Sequence, residues 1–281
     1  MKIGVSSFLT DYSIDVVTLA TRAEELGFDS LWAPEHPIIP VERTQKVPAD
    51  STDEELPKKY FDVVDPYVTL AAAAAATTTL KVATGVTLLP ERNPLLLAKE
   101  AATLDLISGG RFIMGIGAGW ITEETEIMGG NFPRRWAQCR ESVLAMKELW
   151  TTVYSEYHGE FYDFPQVVSF PRPVQRPHPP IILGGGARNV FKRVIEYGDG
   201  WLPLRARPER VAEGRKELDR LAEEAGRDPR SLEVTCYQVP PDPEHVRALE
   251  EAGVDRVVIQ IDTAGRDEAL AQLESHARAL L

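Results

Sequence analysis

Short apolar runs rich in β-branched residues alternate along the chain with longer segments whose apolar residues recur at helical spacing. In the first pair, KIGVSS (2–7) predicts a strand, and residues 13–27 predict a helix with Ser13 as its N-cap and Gly27 as its C-cap. Eight such strand–helix units follow one another without a linker. The predicted strands are residues 2–7, 28–36, 80–89, 111–117, 180–186, 199–204, 232–239 and 254–261.

This alternation favours a single (β/α)8 TIM barrel over residues 1–281 rather than two doubly wound halves. Three insertions interrupt it: residues 37–65 after the second strand, 121–132 after the fourth and 155–179 before the fifth. Because the loops that follow barrel strands meet at the catalytic face, we expect the first two insertions at the rim of an active site. The aromatic and proline-rich third insertion predicts a short hairpin and an extended lead-in to the next strand.

Composition narrows the function without identifying it. The formal charge of −12 argues against a nucleic-acid-binding surface, although it allows one small anion held by a few arginines. No run of about 18 apolar residues predicts a membrane span, and the N-terminus turns acidic too early for a signal peptide. Cys139, Cys236 and the five scattered histidines lack metal-site spacing. We therefore expect a cytoplasmic protein with reduced thiols and no metal, nucleic-acid or membrane partner.

The residues at the end of the second predicted strand are the sharpest candidates for chemistry. His36 is the only histidine at a predicted strand exit, and an imidazole there can donate or accept a proton near pH 7. The alternative is a histidine–carboxylate pair that only orders residues 37–65. Glu35 points to the other side if the strand continues to it, where it either orients a neighbour or contacts a ligand. His36 and Glu35 are the candidate catalytic residues.

A glycine-rich turn follows the fifth predicted strand. In GGGA (184–187), backbone N–H groups can approach an anion, and the N-terminus of the following helix favours negative charge. Arg188, Arg205 and Arg207 follow strands and either add positive charge or are solvated rim residues. The turn predicts a phosphate site, with a tight connection that binds no ligand as the alternative.

Aromatic and alanine-rich segments each allow two interpretations. Trp32, Trp120 and Trp201 all follow predicted strands, where they form either a flat apolar wall for a ligand or ordinary core or dimer packing. The alanine run in residues 70–80 permits close helix–helix approach, either across a dimer interface or against the barrel. A homodimer is the expectation.

The block TGVTLLPERNPLLLAKEAATLDLISGGRFIMGIGAGWITEETEIMGG (84–130) resembles the signature region of the luciferase-like monooxygenase superfamily. It is most similar to the branch of deazaflavin (coenzyme F420)-dependent oxidoreductases, and residues 23–36, 65–86, 179–187 and 199–204 continue the match in order. The resemblance implies a TIM barrel with F420 or FMN at the carboxyl ends of the strands. It implies a non-prolyl cis peptide at Gly85–Val86, or one residue to either side, behind the ring of the cofactor. The GGGA turn would hold the cofactor phosphate, and His36 matches the family's active-site histidine.

The chain departs from the superfamily's patterns at two positions and matches them at a third that has no assigned role. Trp120 stands where the deazaflavin-dependent sugar-phosphate dehydrogenases have a catalytic Glu, which argues against that reaction. Ala118 stands where bacterial luciferase has an Arg near the phosphate, which favours another phosphate contact, such as Arg205. Glu124 matches an acidic position that is frequent in the branch, without an assigned role.

The resulting prediction is a redox enzyme that transfers a hydride between reduced F420 and a small organic substrate, with His36 as a proton or hydrogen-bond donor. One alternative is an FMN-dependent monooxygenase that uses O2 and is fed by a separate reductase, and another is a flavin-binding barrel without turnover. Gly117 and Gly119 leave room for a flat ring at the exit of the fourth strand. The predicted cofactor contacts are Gly85, Val86, Ala118, Gly119, Trp120, Gly184, Gly185, Gly186, Ala187 and Arg205.

Overall fold

The structure, a computed structural model, describes residues 1–49, 51, 53–186 and 189–281. The strands are β1 (Lys2–Ser7), β2 (Ser30–Ala33), β3 (Lys81–Thr84), β4 (Thr87–Leu88), β5 (Phe112–Gly117), β6 (Ser155–His158), β7 (Asp163–Val167), β8 (Ile181–Gly184), β9 (Gly200–Leu202), β10 (Glu233–Val239) and β11 (Arg256–Ile261). The helices are α1 (Val16–Leu26), α2 (Pro66–Ala76), α3 (Pro94–Ile107), α4 (Thr122–Ile127), α5 (Arg135–Thr151), α6 (Val190–Tyr197), α7 (Pro208–Glu224), α8 (Pro243–Glu251) and α9 (Arg266–Leu280).

Parallel strands close into a barrel in the order β1, β2, β3, β5, β8, β9, β10 and β11, with β11 pairing back to β1. The predicted TIM barrel is therefore confirmed. The barrel interior is filled by one apolar cluster: Trp32, Ala83, Ile113, Ile182, Leu202, Tyr237 and Val258. Gly115 lets β5 approach β3 closely, since a Cβ atom there would lie 2.1 Å from the carbonyl oxygen of Thr84. The apolar segment 111–117, predicted as the fourth strand, is thus β5 of the barrel wall.

Two local predictions need correction. The predicted strand 80–89 is divided into β3 and β4, and the peptide bond Gly85–Val86 between them is cis, as the resemblance implied. The N-cap of α1 is Asp15 and not Ser13, because the Asp15 carboxylate accepts a hydrogen bond from the backbone N–H of Thr18 (2.9 Å). Gly27 ends the helix in the left-handed conformation, with φ of 94°, as predicted.

The three insertions occupy different places around the barrel. Residues 37–65 form a loop with one 3-10 turn (Lys58–Tyr60) at the carboxyl ends of the strands, and residues 121–132 include α4 at the same end. The third insertion forms the antiparallel β6–β7 hairpin, which confirms the predicted hairpin. Its tip packs along α5, where the carboxylate of Glu141 accepts from the N–H of Phe161 (2.8 Å). The hairpin therefore lies outside the barrel wall.

The rest of the described chain adds two negative observations. Within the described ranges, no helix is long and apolar enough to cross a membrane. No group of His, Cys, Asp and Glu side chains in the same ranges is arranged to hold a metal ion. Cys139 and Cys236 are both buried.

Candidate active site

Glu35 and His36 follow β2 and belong to different sets of contacts. Glu35 is buried, accepts a hydrogen bond from the N–H of Leu88 (2.7 Å) and pairs with Nε of Arg92 (2.6 Å). Arg92 also pairs with Asp65 (2.7 Å) and Glu100 (3.0 Å). This network ties the exit of β2 to β4 and to the starts of α2 and α3. Glu35 and His36 are thus not brought to one reacting point.

His36 instead meets a carboxylate from the second insertion. Its Nδ1 lies 2.9 Å from Oε2 and 3.1 Å from Oε1 of Glu124, which stands in the first turn of α4. The side chain of His36 is 7% exposed and that of Glu124 is fully buried. A carboxylate on Nδ1 orients the ring and leaves Nε2 as the nitrogen that can meet a substrate. The sequence showed Glu124 as an acidic position, and only the fold shows its partner.

Aromatic side chains surround the imidazole of His36. Trp120 meets it edge to face, with ring centroids 5.9 Å apart, and Tyr60 lies at 5.5 Å. Tyr60 also contacts Phe8, whose ring centroid is 4.7 Å away. The loop 37–65 thus places an aromatic cover over the histidine, and sequence reasoning missed Tyr60 because nothing in PKKYF predicts its contact.

Glu91 lies behind the pair and was also missed. It is 3% exposed, and its Oε1 accepts a hydrogen bond from Oγ1 of Thr125, the residue after Glu124 (2.9 Å). Burial, and then the charge of Glu124, raise the pKa of Glu91 to about 9. Gly119 has φ of +78°, and a Cβ atom there would lie 3.0 Å from both Glu91 Oε1 and Thr125 Oγ1. A glycine is therefore required where the exit of β5 packs on this carboxyl.

The exits of β3, β5 and β8 form one continuous platform. Val86 lies between two glycines, since a Cβ atom on Gly117 would be 2.6 Å from its Cγ2 and one on Gly184 would be 3.1 Å from its Cγ1. Because β3, β5 and β8 are neighbours, the predicted cofactor residues Gly85, Val86, Ala118, Gly119 and Gly184 come together. Trp120 stands at the same exit, beside His36.

The glycine turn after β8 opens on a cavity of about 830 Å³. Gly185 has φ of +103° and donates its N–H to the carbonyl of Leu202 (3.0 Å). A Cβ atom on Gly185 or Gly186 would meet no atom within 4 Å, so the backbone there is open to the cavity. Ala187 and Arg188, both part of the predicted site, lie outside the described residues.

Arginines from the β9 exit line this cavity from the other side. Arg205 and Arg207 also line a second cavity of about 470 Å³ that reaches His245, so the two spaces meet along these residues. Arg205 has a positive φ of 46° and donates from Nε to Oε1 of Gln238 (2.9 Å). The predicted phosphate turn and the predicted arginines therefore share one space.

Two of the three predicted tryptophans belong to the core. Trp32 is fully buried inside the barrel and donates to Oγ of Ser30 (2.9 Å). Trp201 is 5% exposed, packs edge to face on Phe191 and also lines the cavity. Its indole N–H donates to the carbonyl of Gly185 (2.9 Å), which braces the glycine turn. The aromatic contact beside the histidine comes from Trp120.

Comparison with known proteins identifies the family of the chain. Residues 10–279 match the family model described as luciferase-like monooxygenase. The uncharacterized protein Rv0953c of Mycobacterium tuberculosis (strain ATCC 25618 / H37Rv) is 36% identical over 282 residues, covering 100% of this chain and 99% of the relative. An F420-dependent glucose-6-phosphate dehydrogenase of Amycolatopsis mediterranei (strain U-32) is 29% identical over 72% of this chain and 57% of its own length. The oxygenase component of a flavin-dependent trigonelline monooxygenase of Acinetobacter baylyi (strain ATCC 33305 / BD413 / ADP1) is 29% identical over 66% and 46%.

Proposed function

The chain belongs to the luciferase-like monooxygenase family, and from this premise we propose that it transfers a hydride between reduced coenzyme F420 and a small organic substrate. The observation that carries the proposal is the buried His36–Glu124 pair at the exits of β2 and β5. F420 supplies the hydride chemistry when bound. The chain's own residues bind it, orient the substrate and hold a proton at His36.

The cavity beside the glycine turn fits an anionic cofactor. Gly186 exposes backbone that an anion can approach, as the N-terminal side of a helix favours, while the N–H and carbonyl of Gly185 are bonded to Leu202 and Trp201. Val86, Ala118, Gly119 and Trp120 are the residues that we assign to the ring of the cofactor.

The arginines of the cavity favour F420 over FMN. Glu213 and Glu217 also line the space, and Arg210 faces Glu213 at 3.5 Å. Because Arg210 faces a glutamate, we assign Arg207 as the cation that binds the anionic groups of the cofactor, with Arg205 beside it. The tail of F420 carries carboxylates beyond its phosphate, and a cavity that continues past Arg205 and Arg207 suits this longer anionic tail.

We assign His36 as the proton donor. With Nδ1 held by Glu124, Nε2 gives a proton to the substrate atom that gains electron density when the adjoining carbon accepts the hydride. A carbonyl oxygen is the simplest such atom, and the product is then an alcohol. The carboxylate of Glu124 stabilises the imidazolium before the transfer. Glu35 is assigned a structural role, since its contacts are to Leu88 and Arg92.

A second candidate is an FMN-dependent monooxygenase that uses O2. The relative that favours it is the oxygenase component of the trigonelline monooxygenase. In that case, a separate reductase would supply reduced FMN, and the same glycine turn would hold its phosphate. The two candidates differ in cofactor, so cofactor binding separates them.

The test is a pair of binding titrations, one with F420 and one with FMN, in which fluorescence reports binding. We expect F420 to bind in the micromolar range or tighter, and FMN at least about tenfold more weakly, a difference of about 1.4 kcal/mol. Arg207→Ala should weaken F420 binding, while substitution of Arg230, an exposed arginine that pairs with Asp228, by Ala should leave it unchanged. Micromolar FMN binding without F420 binding would establish the second candidate instead.

We also propose that the protein is a homodimer formed through α2 and α3. Val68 on α2 and Leu106 on α3 are exposed apolar side chains, at 74% and 52%. Exposed apolar side chains of this kind are typical of an interface. Light scattering should give the mass of two chains, and Leu106→Glu should shift it to one; a single-chain mass for the wild type would contradict the proposal.

A further inference from the structure

Glu91 is a buried acid that the assigned roles do not use. Its Oε1 accepts from Thr125, but its Oε2 is buried without a hydrogen-bond partner in the part of the chain that the structure describes. A buried polar atom without a partner costs stability, and a native protein that keeps one needs a reason for it.

The groups that face Glu91 do not neutralise it. Glu124 faces it from α4, Glu35 from the β2 exit and Cys139 from α5, and its chain neighbour Arg92 is the nearby cation. Arg92 already serves Glu35, Asp65 and Glu100. With burial and two neighbouring carboxylates against it, Glu91 is a neutral acid at pH 7, in agreement with its pKa of about 9.

Glu91 also reaches a space away from the proposed cofactor site. It lines a cavity of about 300 Å³ whose walls come from the start of α3, the end of α4 and the start of loop 37–65. The lining residues are Pro37, Asp65, Glu91, Arg92, Asn93, Leu96, Leu97, Glu100 and Met128, and none lies in a barrel strand. The exposed wall of this space is mainly apolar, but five of the lining residues carry polar side chains, and the volume is large enough for several waters. Glu91 therefore connects the back of the His36–Glu124 pair with water outside the barrel.

We propose that Glu91 is a positioning residue that sets the charge of the His36–Glu124 pair. While Glu91 is a neutral acid, Glu124 is the carboxylate whose charge acts on the imidazole of His36. When Glu91 releases its proton to water in the outer cavity, a second negative charge lies beside the pair, which changes the electrostatic environment of the His36 ring and opposes proton donation from it. The inference rests on the proposed role of His36. It adds that proton donation from His36 is controlled by Glu91 through the outer cavity, which stays accessible while cofactor and substrate fill the mouth of the barrel.

The test uses the cofactor-free protein with carbon-13-labelled histidine, in which the loss of one signal set in His36→Asn assigns the His36 ring. In the wild type, we expect the His36 ring signals to show a second step near pH 9, where Glu91 ionises. Glu91→Gln should abolish that step. Thr125→Val should move it to higher pH, because the Thr125 hydrogen bond favours the ionised carboxyl. Glu123→Gln, on the same helix but bonded to Thr44 of loop 37–65, should leave it in place.

Infrared spectra provide a second, independent measurement. A protonated carboxyl has its own C=O stretching band, which should be present at pH 7, lost in Glu91→Gln and retained in Glu123→Gln. The proposal is overturned if the His36 step is missing in the wild type or persists in Glu91→Gln. Because no cofactor is present, a failure of F420 to bind would defeat the proposed function while leaving the coupling measurable, and the reverse holds as well.

Discussion

Glu35 and His36 are consecutive residues, and each pairs with a side chain of complementary charge. The two pairs differ in whether they leave a polar atom free to contact a substrate. Glu35 accepts from Leu88 and Arg92, and Arg92 is shared among three carboxylates. His36 has one carboxylate on one nitrogen, under an aromatic cover. A saturated network holds parts together, whereas a buried pair with an open nitrogen can exchange a proton.

Both residues lie in the segment after β2, which ends at Ala33, so the contrast comes from the partners that each side chain meets and not from strand alternation. Arg92 lies outside the barrel at the start of α3, and Glu124 lies at the mouth on α4. Glu35 and Glu124 are buried to a similar extent, and they differ in the number of partners that each network contains. The saturated side should therefore respond to mutation in stability, and the open side in catalysis.

The largest effect is expected for His36→Asn. Asparagine can still contact Glu124, but it cannot carry the proton, so turnover should fall by about 10²–10⁴-fold. Stopped-flow oxidation of reduced F420 with a panel of small ketones and aldehydes measures the loss, and the F420 dissociation constant should stay within about twofold of wild type. A variant that binds the cofactor and turns over like the wild type would remove His36 from the mechanism.

The next effect is expected for Arg92→Met on the saturated side. The substitution leaves Glu35 buried without its cation, which should lower the free energy of unfolding by about 3–5 kcal/mol. Urea unfolding measures it, with Arg230→Met as the exposed control. Residual folded enzyme should keep its turnover number. Unchanged stability with lost turnover would reverse the roles that we assign to the two pairs.

A pH dependence of stability is expected from Glu91. Its pKa is raised from the ordinary value of 4.5 to about 9 in the folded protein, so between these values the folded state binds more protons than the unfolded state. Its contribution to stability is complete below about pH 4.5 and is lost as the pH rises toward 9, by at most about 1.4 kcal/mol per pH unit. Glu91→Gln should therefore gain stability relative to the wild type from pH 6 to pH 8 in urea unfolding. Parallel curves for the two proteins would show that Glu91 is already ionised at pH 6.

The sequence predicts more of this barrel than of its candidate site. The eight barrel strands and the approximate position of α5 follow from periodicity, and the exit rule selects His36 and Gly185. The partners do not follow, because Glu124 and Tyr60 come from insertions that are 88 and 24 residues away from His36 and whose paths depend on long-range packing. Glu91 is harder still: in PERNP it reads as a surface charge beside Arg92, and only the packing of Gly119 and Thr125 buries it.

The smallest effect is expected for Glu123→Gln, the chain neighbour of Glu124. Glu123 is partly buried and accepts from the N–H (2.7 Å) and Oγ1 (2.6 Å) of Thr44, so it fastens loop 37–65 to α4. An amide oxygen can still accept from Thr44, and the free energy of unfolding should change by less than about 0.5 kcal/mol. Turnover should stay within a few-fold of wild type, whereas Glu124→Gln should lower it strongly because the imidazolium loses its counter-charge. Equal losses in the two variants would mean that the position of α4, and not the carboxylate on Nδ1, is what His36 requires.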